Sequence, residues 1–180
     1  MDNLSNLDNP LSLSMVPAAL HTWITDDGSL TQKLKSASDG QFEVRVIQES
    51  WQSVDDADER SLLGLAQTDT ALIREVALCC FGVPWVYARS VLPANTLVGP
   101  EEQLKLLKNK PLGEVLFQHP NMRRGPIHLS QLSPQTVNQR LNAELIERLT
   151  DTVWGRASLF YLSDKPLLVS EYFLPAVTQP

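Results

Sequence analysis

Apolar and polar positions alternate with a period of two in four or five stretches of the chain and follow a helical period between them. The clearest alternation is KPLLVSEYFLP at 165–175, where Leu167, Val169, Glu171 and Phe173 share one face of a strand and Leu168, Ser170, Tyr172 and Leu174 the other. WGRASLFYL precedes it across SDK, which predicts a hairpin. A second hairpin is predicted from ALIREVALCC and PWVYARSVLP, which meet at the turn residues of FGVP. QFEVRVIQ, residues 41–48, sets Phe42, Val44 and Val46 against Glu43 and Arg45 and reads as a half-buried strand.

Helical spacing fills the intervals. VPAALHTWIT and DGSLTQKLKSAS predict two short helices, the second capped by Asp27 or Ser29 and carrying Leu30, Leu34 and Ala37 on its apolar stripe. SVDDADERSLLGLAQTD reads as an acidic loop with two helical turns. GPEEQLKLLKNK, with Pro100 suited to a first helical position, and PLGEVLFQ predict two more helices. VNQRLNAELIERLTD places Leu141, Leu145 and Leu149 at i, i+4 and i+8, an amphipathic helix reached through a polar loop over 119–137. The sum is an α+β domain over 1–180, a single antiparallel sheet with helices packed on it.

Composition narrows the function classes. The chain has 180 residues, 43% of them apolar and 20% charged, enough to bury about 70% of the unfolded surface and to enclose a pocket. Its formal charge is −6 with scattered basic residues, which weighs against nucleic acid as a partner, so an anionic ligand would have to be met by individual arginines. The start, MDNLSNLDNP, lacks the basic and apolar regions of a leader, and no run approaches the roughly 18 apolar residues of a membrane span; the expected location is cytoplasmic. Cys79 and Cys80 are adjacent and would point to opposite faces of a strand, reading as buried thiols rather than a disulfide.

Two charged positions fall on apolar faces. Glu171 is one. In ALIREVALC, Leu72, Arg74, Val76 and Leu78 share a face while Glu75 falls with Ile73 and Ala77, so one of Arg74 and Glu75 should point inward. A guanidinium cannot shed its charge, so an inward Arg74 needs an internal carboxylate or an anionic ligand. Either Arg74 and Glu171 pair with each other across the two hairpins, or they mark two ends of a pocket. Arg89 shares parity with Trp85, Tyr87 and Val91, and Arg156 with Ser158, Phe160 and Leu162, so either could bring a second cation to that pocket. Arg123 and Arg124 read as a solvated loop pair able to cover an anionic ligand. His21, His119 and His128 lack metal-ligand spacing, and no nucleotide-binding or nucleophile-elbow motif is present, so neither metal nor cofactor is expected.

GSLTQKLK, IREVALC, GVPWVYARSVLP, GPE, KPLGEVLF and WGRASLFYLSDKPLLVSEYFLP, in this order between about residues 28 and 176, resemble the chorismate pyruvate-lyase family of bacterial ubiquinone synthesis. The resemblance implies a chorismate-lyase-like fold with a buried ligand pocket and a cofactor-independent release of 4-hydroxybenzoate and pyruvate from chorismate. It implies that Arg74, Glu171, Leu30 and Leu112 hold the ligand, the two leucines through their main chains. Leu112 follows Pro111 at a predicted helix start, where its N–H would be free to meet an anion. The segment 119–153 is longer than the family pattern, and Gln48 stands where a basic residue is expected.

With those roles, Arg74 would take the ring carboxylate, Glu171 would bond the ring hydroxyl and assist proton transfer, and Arg89 or Arg156 would meet the second carboxylate. A monomer with product inhibition is the expectation. The rival is a non-catalytic aromatic-acid effector module, because the fold also resembles the sensor domain of a family of bacterial transcription regulators. Those sensors follow a DNA-binding winged helix; with the first strand expected within about 42 residues, no basic recognition helix before it and a negative net charge, a complete regulator is not expected.

Overall fold

A computed structural model of the chain describes residues 3–4, 11–141 and 145–179. Among these, eight strands form one antiparallel sheet: β1 (Asn3–Leu4), β2 (Phe42–Ser53), β3 (Thr70–Cys80), β4 (Val83–Pro93), β5 (Met122–Arg124), β6 (His128–Leu132), β7 (Val153–Leu162) and β8 (Lys165–Phe173). Their order is β1-β6-β7-β8-β4-β3-β2, with β5 joining β7 beside β6. Five α-helices lie on the sheet: α1 (His21–Ile24), α2 (Leu30–Ala37), α3 (Ala57–Leu63), α4 (Leu112–Gln118) and α5 (Pro134–Arg140). The α+β expectation holds.

Both predicted hairpins form, and their turns have a local cause. Phe81 and Gly82 have φ of 54° and 76°, and Ser163 and Asp164 have 49° and 67°. Left-handed geometry at both central residues is what a two-residue turn needs to match the strands' twist. The hairpins join where β4 pairs with β8, which sets Ala88 opposite Glu171 and Ser90 opposite Val169. Ser90 also faces Arg74, and Arg156 faces Glu171. Register alone therefore gathers Arg74, Ser90, Ala88, Glu171 and Arg156 on one face.

Helices cover both faces. On the first, Ile24, Leu30 and Leu34 pack on Val76, Leu78, Trp85 and Phe173, while Leu104, Leu112 and Leu116 pack on Leu72, Phe160 and Leu167. On the second, Leu63 of α3 meets Ile73, Val91 and Leu168, and Val137 of α5 with Leu141 meets Tyr87 and Tyr172. Cover on both sides buries β3 from Ala71 to Cys80. Arg74 and Glu75 are consequently both interior, 2% and 3% exposed, on opposite faces; the expectation that only one points inward is corrected.

Two bulges displace the simple alternation. Val46 pairs with Val76 and Gln48 with Glu75, so Ile47 is an extra residue that turns to the second face, where it packs beside Tyr87 and Leu132. Val46, expected inside, lies exposed toward the sheet edge. Trp85 is likewise extra between Leu78 and Cys79 of the partner strand, and joins the first face rather than sharing parity with Tyr87 and Arg89.

Ser29, not Asp27, caps α2, accepting from the Gln32 N–H, and Ser38 rather than exposed Ala37 is buried at its end. GPEEQLKL winds as a 3-10 helix over Gly99–Leu106. The polar stretch 119–137 is not a loop throughout, because β5 and β6 form within it. The helix expected over 137–151 stops at Arg140, and Leu141 is already extended (φ −99°, ψ 103°). Residues 142–144 of that expectation, and most of the acidic start, lie outside the described residues.

Gly155 is required by close backbone approach. A Cβ there would stand 2.4 Å from the Glu171 carbonyl oxygen and 2.5 Å from Tyr172 Cδ1. The β7–β8 backbone would have to shift, so Gly155→Ala is expected to lose about 1–3 kcal/mol of stability in urea unfolding. A variant as stable as the wild type would contradict this packing.

Candidate active site

Under α2 and α4 the first face holds a small cavity of about 40 Å³, lined among others by Leu30, Thr31, Arg74, Leu112, Phe160 and Glu171. The four residues matched through the resemblance all line it. Its floor is mostly apolar, built from Val76, Ala88 and Val169 with the Ser90 hydroxyl among them. The cover consists of two helix starts, Leu30 and Thr31 of α2 and Leu112 and Gly113 of α4. They touch, since a Cβ on Gly113 would lie 3.1 Å from Thr31 Oγ1. Lys35 and Glu114 add an ion pair of 2.7 Å between the same helices.

Arg74 is held by Glu49 and by two main-chain carbonyls, Nη2 donating to Lys108 O at 2.6 Å and to Lys110 O at 3.2 Å. Those carbonyls belong to the segment leading into α4, so Arg74 fixes the backbone that presents Leu112. Glu49 reaches Arg74 only because of the bulge at Ile47, which brings Glu49 opposite Arg74 where an unbroken register would have put Gln48.

Glu171 accepts from Arg156 Nε at 2.7 Å through Oε2. Arg156 is 1% exposed, and its Nη1 donates to Trp23 O at 3.0 Å, Ile24 O at 3.3 Å and Asp26 O. These carbonyls close the C-terminal end of α1, where a cation is favourable, and lead into α2. Each interior arginine thus ties one covering segment to the sheet. Arg74 and Glu171 do not pair with each other, which removes the reading of them as one structural ion pair. They stand on strands separated by β4, about 10 Å apart in strand spacing.

Arg89 is not part of this cavity; it lies on the second face, a correction to the expectation. Its guanidinium makes a two-point pair with Glu59, at 2.9 and 3.0 Å, and a 2.7 Å bond to Glu75, which also accepts from Arg140. Burial opposes its charge, but Glu59 and Glu75 more than offset that and raise the Arg89 pKa. Burial, with the Glu75 carboxylate, also raises that of Tyr87. A larger cleft of about 430 Å³ opens over this cluster, yet its charges already neutralise one another. Arg123 and Arg124 lie on β5 rather than a loop; exposed Arg123 pairs with Asp164 at 2.9 Å. Among the described residues no group of three His, Cys, Asp or Glu side chains could hold a metal ion, and no helix is long and apolar enough to cross a membrane.

Glu49, Thr31 and Gly113 escaped the sequence reading. The signal for Glu49 is a bulge, which alternation does not reveal, whereas the PLG tripeptide carried Gly113 without showing what crowds it.

The fold has counterparts among solved structures. It is similar to the effector domain of PhnF from Mycobacterium smegmatis, 16% identical with a TM-score of 0.57 over 83% of this chain and 90% of that one. A GntR-family transcriptional regulator from Bacillus cereus gives 13%, 0.55, 76% and 93%. Both share this fold of an antiparallel sheet with helices. The family is narrower: the model for chorismate lyase matches residues 4–179, and the chain belongs to that family. Relatives named probable chorismate pyruvate-lyase include one from Methylococcus capsulatus, 40% identical over 88% of this chain and 96% of its own length. Another, from Aromatoleum aromaticum, is 39% identical over 91% and 89%, and one from Psychromonas ingrahamii is 38% identical over 86% and 81%.

Removing Glu49 would leave Arg74 buried without a carboxylate. Glu49→Ala is expected to cost about 3 kcal/mol in denaturant unfolding, the low end for breaking a buried pair because Glu49 itself keeps 27% exposure. A loss below about 1 kcal/mol would show that the two carbonyls suffice for Arg74. Burial pushes the Cys79 thiol up to about 11, and Cys79 and Cys80 point to opposite faces. Both thiols should resist Ellman's reagent at pH 8 in the folded protein and react on unfolding.

Proposed function

We propose that the protein is a chorismate pyruvate-lyase whose ligand lies between Arg74 and Glu171. The observation that carries this reading is the pair of opposite charges, separately anchored, at the two sides of an apolar cavity in a chain of the chorismate lyase family. Chorismate has a ring carboxylate, a ring hydroxyl and an enolpyruvyl ether with its own carboxylate. Arg74, with the Leu112 N–H at the start of α4, suits the ring carboxylate. Glu171 suits the hydroxyl across the ring, because its bond to Arg156 uses Oε2 and leaves Oε1 to accept.

In the reaction the ring C–O bond to the enolpyruvyl oxygen breaks, and the hydrogen on the neighbouring hydroxyl-bearing carbon leaves. The departing fragment gains that hydrogen at its methylene carbon and becomes pyruvate. All atoms of chorismate are divided between the products, and aromatisation drives the step. The protein's part is positioning and a preorganised electrostatic frame, with Glu171 placed to help the ring hydrogen leave. In this role it would supply the ring precursor of ubiquinone.

A cavity of about 40 Å³ holds only a few waters, so α2 and α4 must part to admit a six-membered ring. The product keeps the carboxylate and hydroxyl that Arg74 and Glu171 recognise, and the same helices close over it. Slow release and inhibition by 4-hydroxybenzoate are the expectation on this reading.

The test is incubation of the purified protein with chorismate, without added metal or nucleotide. Equimolar 4-hydroxybenzoate and pyruvate are expected. Arg74→Ala should weaken 4-hydroxybenzoate binding by roughly 100-fold, as loss of a charge-assisted pair would, while Glu171→Gln should retain binding and lose turnover. Saturable binding without product would assign the chain to the effector-binding class instead, and normal turnover in either variant would overturn the residue roles.

A further inference from the structure

We propose that Arg124 receives the enolpyruvyl carboxylate of chorismate, the group that distinguishes substrate from product. This rests on the lyase reading above. In chorismate the ether carbon adjoins the hydroxyl-bearing carbon, so with the hydroxyl at Glu171 the second carboxylate emerges beside Glu171 and far from Arg74. A cation is needed at that side.

Three arginines could supply it, and two are otherwise committed. Arg89 is on the second face, bound to Glu59 and Glu75. Arg156 spends its donors on Glu171 and on the carbonyls of Trp23, Ile24 and Asp26, and does not line the cavity. Arg124 does not line the cavity either, but it lies beside the cavity wall and no carboxylate holds it. It pairs in register with Phe160, a residue of the cavity wall, and therefore lies on the cavity's face of the sheet. Its guanidinium carbon stands 5.1 Å from the centre of the Phe160 ring. Its Nε donates to Ser158 Oγ at 3.2 Å and its Nη1 to Asp27 O at 3.0 Å.

Both of those partners are neutral. Unlike Arg74, Arg89 and Arg156, Arg124 has no carboxylate within ion-pair distance among the described residues. Burial and the like charge of Arg156 lower its pKa, against the attraction of Glu171, Asp27 and Asp26, the last of which is already paired with Lys33. Arg124 thus stands on the Glu171 side of the cavity with neutral hydrogen-bond partners, where a second carboxylate would give it an ion pair. The bond to Asp27 O also brings β5 against the segment leading into α2.

The test compares ligands with and without the second carboxylate, using Arg124→Gln and Arg124→Lys in the full chain. For Arg124→Gln, kcat/KM for chorismate should fall about 100-fold while the Kd of 4-hydroxybenzoate stays within about twofold. A nonreactive mimic, 3-(carboxymethoxy)-4-hydroxybenzoate, should lose affinity in Arg124→Gln as chorismate does, and Arg124→Lys should recover at least part of both losses. Equal weakening of 4-hydroxybenzoate and the mimic would make Arg124 a structural residue and overturn the proposal, as would unchanged chorismate turnover. Wild-type protein that binds both acids without converting chorismate would refute the lyase reading, and the Arg124 dependence of the mimic would still decide the carboxylate subsite.

Discussion

A buried guanidinium cannot lose its charge, and where each one in this fold finds its counter-charge determines how the rest is arranged. Arg74 and Arg156 enter the same face of the sheet, and each needs more acceptors than one carboxylate offers. Both take the remainder from main-chain carbonyls, Arg74 from Lys108 and Lys110 and Arg156 from the end of α1. Satisfying those donors fastens the two segments that cover the cavity. The polar network thus anchors the segments that lead into α2 and α4, and Leu30 and Leu112 take their positions over the cavity from it.

The opposite face solves the same problem differently. Glu75, next to Arg74 in sequence, serves Arg89 and Arg140, with Glu59 completing the cluster. Charges there are matched by charges, and the cluster ties α3 and α5 to the sheet. On the first face the balance is left open toward the cavity, where Arg124 has only neutral partners. That contrast separates a charge cluster that is internally matched from one that is not. The PhnF effector domain and the Bacillus cereus regulator share the sheet and helices, so the fold by itself does not decide between binding and catalysis.

Alternation along β3 and β8 was enough to single out Arg74 and Glu171, because each sits in a regular strand where parity survives. It did not survive at Ile47 and Trp85, where one extra residue exchanges the faces. Glu49, the partner of Arg74, lies beyond the first bulge and so was invisible to parity. Arg89 was assigned to a face correctly with Tyr87 and Val91, but which face carries the cavity depends on helices packed from distant parts of the chain. The leucines at 141, 145 and 149 have helical spacing, yet the helix ends at Arg140 and Leu141 turns inward as extended chain to meet the second face. Short strands such as β5 carry too few residues for any period, so the sequence shows Arg123 and Arg124 only as a loop pair able to cover an anionic ligand.

The most direct measurement is a crystal structure of the protein with 4-hydroxybenzoate bound. The carboxylate should lie against the Arg74 guanidinium and the Leu112 N–H, with the phenol oxygen at Glu171 Oε1 and α2 and α4 closed over the ring. A ligand in the cleft over Glu75 and Arg89, or one in the cavity that touches neither Arg74 nor Glu171, would contradict the assignment of this cavity as the active site.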